Sequence, residues 1–220
     1  MLRLPPVEDV VAPALYAEMG DAEAADYGRG RAAELSRLPG VRRTTWWSNA
    51  NPGRRDLPRQ IPEFSLLGLC EAEASFRPPL PPPGFAGHLF HHCPRPGQGC
   101  LSARPTLGLL LVLISPKVPE AAQQLRDWAD FVHIRHIAAA GVPGYCLISP
   151  YRNALGPDPA FLHLYEMDTD DPEAAFRSMV PRVVERLGAG PGSPAYEEWA
   201  SHDQLRIVYV NTFVRRGAIP

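Results

Sequence analysis

The residues of this chain best suited to chemistry are His136 and the aromatic and polar groups around it. His136 lies at helical spacing from Val132 and Trp128, on a face that must meet a sheet if the helix packs on one. An imidazole near neutrality moves protons in either direction, so His136 suits general acid–base work. The bland alternative is a core histidine hydrogen-bonded to backbone. His133, on the same helix, faces either solvent or the mouth of a pocket. Further along, Phe161, His163 and Tyr165 alternate on one strand face. Tyr145, Leu147, Ser149 and Tyr151 do so on a second, and Tyr209 and Asn211 on a third. Several tyrosines, a histidine and a serine around Trp128 would orient a hydroxylated aromatic or polyketide-like compound. Aromatic residues are also ordinary in sheet cores.

These residues need a helix and strands to hold them. Pro119 sits where a first helical turn tolerates it, and Glu120–Ala140 has no internal breaker. Gly141 and Pro143 stop the helix, and Tyr145–Arg152 then reads as a strand. Thr106–Ser115 and the stretch from Leu205 are apolar at successive positions, like strands buried on both faces. Asp171 and Pro172 open another helix running to Leu187, and a short one follows Ser193-Pro194.

The first half repeats this order. A strand over Val10–Met19 precedes a helix over Ala22–Leu38, with Asp21 placed to cap it. Strands follow at Val41–Ala50, Phe64–Glu73 and from Gly87. Residues 23–50 align with 127–154 without a gap, which sets Tyr27 on Phe131, Arg31 on Arg135, Ala32 on His136 and Pro39-Gly40 on Pro143-Gly144. The match of Arg31 with Arg135 suggests a structural ion pair. Under the same match Trp46 and Trp47 fall on Pro150 and Tyr151, so one of them lines a vestigial pocket. Ala74–Gly87 is too rich in proline for a helix and reads as an extended arm. Each half is then β-α-β-β-(α)-β, and the expectation is an α+β chain. Two ferredoxin-like halves, 1–95 and 106–220, pack sheet to sheet as a pseudo-dimeric α/β barrel, joined by a linker at 96–105.

Phe131, His136, the Pro143-Gly144 turn, Tyr151-Arg152 near a strand end and the FLHLYEMD strand (Phe161–Asp168) together resemble the EthD-like branch of the dimeric α/β-barrel superfamily. The resemblance covers roughly residues 107–215. It implies a ligand pocket between sheet and helices in the second half, lined by Trp128, Phe131, His133, His163, Tyr165 and Tyr209. It also implies roles for Tyr151 and Arg152 beside His136, Arg152 holding an enolate or carboxylate in a charge-assisted bond.

Composition narrows the function classes. A formal net charge of −2 argues against nucleic acid, and no apolar run approaches a membrane span. The N-terminus lacks the plan of a signal peptide, and the four cysteines carry no sign of secretion, so the expected setting is cytoplasmic. His88, His91, His92, Cys93 and Cys100 match no compact metal-site spacing, and no phosphate loop occurs, so neither metal nor cofactor is expected. The partner expected is a small apolar or aromatic substrate, with the chain a monomer or loose homodimer. Three readings stay open. One is acid–base cyclisation, dehydration, isomerisation or decarboxylation. Another is a cofactor-independent oxygenase, in which the bound substrate anion itself meets oxygen. The last is a non-catalytic binding protein.

Overall fold

The computed structural model describes residues 12–102 and 104–219. In chain order, β1 (Ala14–Gly20) leads into a helix α1 made of Ala24–Tyr27, a π-helical turn Gly28–Ala32, and Ala33–Leu35. Strands β2 (Val41–Asn49), β3 (Leu66–Ala72) and β4 (Ala86–His92) complete the first half. A short strand β5 (Gln98–Gly99) lies in the connection. The second half has β6 (Gly108–Pro116) and a helix α2 that starts as 3-10 at Pro119–Ala121 and continues as Ala122–Trp128. A π-turn at Ala129–His133 and Ile134–Ala139 complete α2. Then come β7 (Tyr145–Asn153), β8 (Phe161–Met167), α3 (Pro172–Leu187), α4 (Pro194–Ala200) and β9 (Leu205–Ile219). The strand expected from Val10 begins at Ala14, its first residues lying outside the described ones. Asp21 does not cap α1: the N-cap is Glu23, and the Asp21 carboxylate accepts instead from the Ser65 amide at 2.8 Å.

The strand order β4-β1-β3-β2-β9-β6-β8-β7, closed by β7 on β4, makes an eight-stranded antiparallel barrel of two ferredoxin-like halves. The halves correspond residue for residue across the sheet. Ala14 opposite Ala72 has its counterpart in Gly108 opposite Met167, and Thr44 opposite Cys70 in Ile148 opposite Tyr165. Even the irregularity between Val41 and Arg43 in β2 recurs between Tyr145 and Leu147 in β7. Alternation then decides which side chains enter the barrel. Leu15, Ala17 and Met19 on β1 and Leu109, Leu111 and Leu113 on β6 form one interior cluster, with Leu162, Leu164, Phe213 and Trp47. Outward-facing residues of each half meet that half's helix or covering segment in separate clusters.

Among the described residues of the first half no second helix covers the sheet. Residues 73–85 form an extended arm there, with Phe76 buried against Tyr16 and Leu89 and with Leu80 89% exposed. The arm is held at its carbonyls, since Arg31 donates to Leu80 O at 2.8 Å and the Tyr16 hydroxyl lies 3.2 Å from Pro79 O.

Candidate active site

In the second half a cavity of about 160 Å³ separates the outer face of β6, β8 and β9 from α2 and α4. Its apolar wall includes Leu110, Val112, Ile114 and Val210, and its polar or aromatic groups are Trp128, His133, His163 and Tyr165. The strands supply His163 and Tyr165 because both occupy outward positions of β8, facing Pro150 and Ile148 of β7.

The helix supplies Trp128 and His133 through its π-turn. A π-turn spends one residue more than an α-turn, so the residue five positions after Trp128 takes the place that i+4 would have. That residue is His133. The Trp128 and His133 rings lie 5.1 Å apart. Helix α4 locks His133 from the other side. Trp199 stacks on it at 5.5 Å with 6° between planes and donates its indole N–H to the His133 carbonyl at 3.2 Å. His133 Nδ1 lies 3.0 Å from the Trp199 carbonyl. A carbonyl only accepts, so Nδ1 carries the proton, and Nε2 is left as the ring's lone-pair nitrogen. Burial lowers the His133 pKa, keeping the imidazole neutral.

His163 is neutral for the same reason, its pKa pushed down to about 3 by burial, with His133 and Arg126 adding to the effect. Its Nε2 lies 3.7 Å from Oδ1 of Asp130, a buried carboxylate within the π-turn. Burial raises the Asp130 pKa against the pull of Arg95 and Arg126. The Tyr165 phenol is raised by burial, so it stays protonated and able to donate.

Other expected site residues stand elsewhere. His136 is half-buried and does not line the cavity, and its Nδ1 is buried without a hydrogen-bond partner. The expected Trp128–Val132–His136 face assumes an uninterrupted α-helix, which the π-turn breaks. Phe131 is 56% exposed, lying under the Arg95 guanidinium. Tyr151 is turned into the barrel, its hydroxyl 3.3 Å from the Ala12 amide, because the β7 bulge shifts the alternation after Tyr145. Tyr209 also points inward, past an irregularity in β9, and donates to Glu63. Arg152 is exposed beside a separate, larger cleft of about 370 Å³ that also touches Lys117, Asp158 and Arg206. That cleft is wider but holds no buried histidine, so the smaller cavity is the better site for proton transfer. Among the expected residues, the structure therefore brings together Trp128, His133, His163 and Tyr165. Asp130 joins them unforeseen, because an aspartate in a helix carries no sign in the sequence that it will be buried.

The gapless match between halves also fails within the helix. Ala32 and Leu35 are buried near the end of α1, and the residues buried in the last segment of α2 are Ile134 and Ile137, two positions short of that match. Two extra residues before Val142, with Gly141 at φ 62°, restore the register before β7. Arg31 then corresponds to His133 rather than Arg135. Arg31 pairs with Glu18 at 2.6 Å, whereas Arg135 is exposed. Trp46 faces outward in the first half, where a Cβ on Gly28 would lie 2.5 Å from its ring. Trp47 lies in the barrel interior.

Among the described residues no group of three or more His, Cys, Asp or Glu side chains is placed to hold a metal ion, and no helix is long and apolar enough to cross a membrane. No family model and no curated protein matches the chain. Solved structures do. An anthrone oxidase-like protein superposes with TM-score 0.56 at 11% identity over 97% of this chain and 96% of that one. A mutant chlorite dismutase from Candidatus Nitrospira defluvii gives 0.53 at 10% over 94% and 92%. A major regulator of staphylococcal pathogenesis gives 0.51 at 12% over 91% and 98%. At such identities the likeness speaks to the fold alone, and names this different show how little that fold says of function.

Proposed function

We propose that this chain is a cofactor-free enzyme of small-molecule metabolism. In this reading its second-half cavity binds a compact aromatic or enolisable compound, and His133 takes a proton from it. The observation that carries the reading is the pairing of His133 Nδ1 with the Trp199 carbonyl, which leaves Nε2 as a base in a largely apolar cavity. The substrate's proton would pass to Nε2 and its electron pair remain as an enolate or phenolate. Tyr165 can donate to that oxyanion, a stabilisation worth more in a dry site than in water. Return of the proton at another atom gives isomerisation. Loss of a β-hydroxyl, leaving as water with the proton held on Nε2, gives dehydration. Attack of the enolate carbon on a carbonyl of the same molecule, whose oxygen takes that proton, gives cyclisation. These are the lyase and isomerase outcomes expected from the sequence, with His133 in the place given there to His136. A cavity of about 160 Å³ matches the size that holds a single benzene-like ring. A fused polyketide would need α4 to move. We read the equivalence of the halves as an internal duplication in which only the second pocket stayed open.

A second reading has the same deprotonation followed by reaction of the substrate anion with molecular oxygen. A structure that shares the fold is described as anthrone oxidase-like, and that description is the reason to include this outcome in the test. The test is a hydroxylated aromatic panel, including an anthrone, incubated with protein in D₂O under air. Solvent deuterium in the substrate without oxygen uptake supports the first reading, and oxygen uptake supports the second. Saturable binding with neither change would mean a binding protein.

A further inference from the structure

Beyond the cavity itself, the segment joining the two halves grips the π-turn from outside. The Arg95 guanidinium pairs with Asp127, in the turn before, and with Asp130 within it, the latter through Nη1 and Oδ2 at 2.9 Å. It lies over the Phe131 ring with Cζ 4.5 Å from the centroid. Its Nη1 also approaches the Arg126 carbonyl at 3.5 Å, and Gln98 donates to the Asp130 carbonyl. One side chain thus engages Arg126, Asp127, Asp130 and Phe131, the run across which the helix passes from α to π.

A π-turn is rare and arises where its surroundings hold it against the α-register. Loss of the extra residue would advance the helix by about 100°. Val132, four positions after Trp128, would then lie one turn on from it and meet the cavity, and His133 would turn away from Trp199. Asp130 adds an electrostatic reason for the grip. It is buried, and besides Arg95 its nearest cation is Arg126 at 3.7 Å. A buried carboxylate that loses its best partner is destabilised where it stands.

We propose that Arg95 is a positioning residue for His133, holding the π-turn so that the imidazole stays between Trp128 and Trp199 in the cavity. Only the functional weight of this inference rests on the proposed role of His133, since the placement is a matter of geometry.

The test needs no substrate. In wild-type protein the ring protons of His133, identified by their loss in His133→Gln, should be shifted upfield by the stacked Trp199. In Arg95→Ala that shift should fall by more than half while the protein still melts cooperatively, and Arg95→Lys should lie between. A role confined to stability would lower the melting temperature and leave the His133 signals in place. That result would overturn the proposal. If Arg95→Ala does not fold, Arg95→Gln is read by the same criterion. Turnover is not measured, so a failure here leaves the enzymatic reading standing, and a chain that turns nothing over leaves this test intact.

Discussion

The outer faces of the two halves share one register and have opposite contents. Where the second half has Leu110 and Val112 on β6, the first has Tyr16 and Glu18 on β1. Where β8 carries His163 and Tyr165, β3 carries Gly68 and Cys70. The missing side chain at Gly68 is the decisive difference. Tyr27 of α1 fills that space so closely that a Cβ there would overlap its hydroxyl. Tyr27 donates to Glu18 at 2.9 Å and Tyr16 donates to it at 3.0 Å, while Arg31 pairs with it at 2.6 Å. Glu18 is buried, so the first-half site is a plug of satisfied polar groups. The second half leaves the equivalent volume open and lines it with neutral histidines. The same strand frame thus supports a filled site and a cavity, and the choice rests on a few outward positions.

The plug offers the largest effect. Glu18→Leu would remove the buried carboxylate that pairs with Arg31 and accepts from the Tyr27 and Tyr16 phenols, leaving Arg31 with Glu34 and the Leu80 carbonyl. Removing one partner of such a pair costs about 3–5 kcal/mol. Urea unfolding should show a loss of that order, and a change below about 1 kcal/mol would mean that the network does not stabilise the first half.

Next in size is the volume contest at Gly68. Gly68→Ala should cost about 1–3 kcal/mol through overpacking against Tyr27. In a Tyr27→Ala background the same change should cost much less, giving a clear coupling energy in a double-mutant cycle. Strict additivity would contradict the close fit.

The smallest effect near neutral pH belongs to His163. Its folded pKa, about 3, lies below the usual histidine value, so the unfolded chain binds the proton first. Its contribution is intact above about pH 6.5 and is lost progressively as pH falls toward about 3. His163→Gln should flatten the fall in stability across that window, as read by melting temperature against pH. An unchanged slope would show that His163 is not buried neutral.

Much of the frame was legible in the chain. Pro39-Gly40 and Pro143-Gly144 mark equivalent turns, the apolar runs of β6 and β9 mark strands covered on both faces, and Pro78–Pro83 excludes a helix. The site was legible only in part, for two local reasons. No propensity distinguishes a π-turn from the α-helix around it, so His136 looked inward when His133 does. A bulge reverses strand alternation without a sequence marker, which is why Tyr151 reads as a pocket residue and lies in the barrel. The exposure of Phe131 and the burial of Tyr27, which the gapless alignment equates, follow from the two-residue offset between the helices that the extra residues before Val142 make up.

The central claim is that the open second-half cavity works through His133. The direct measurement is turnover by His133→Gln beside His136→Ala, on whichever compound of the aromatic panel wild-type protein converts. The account predicts that His133→Gln lowers kcat by about 10²-fold or more, the usual worth of a general base, with the fold retained. It predicts that His136→Ala stays within a few-fold of wild type. A near-normal His133→Gln with a collapsed His136→Ala would contradict it.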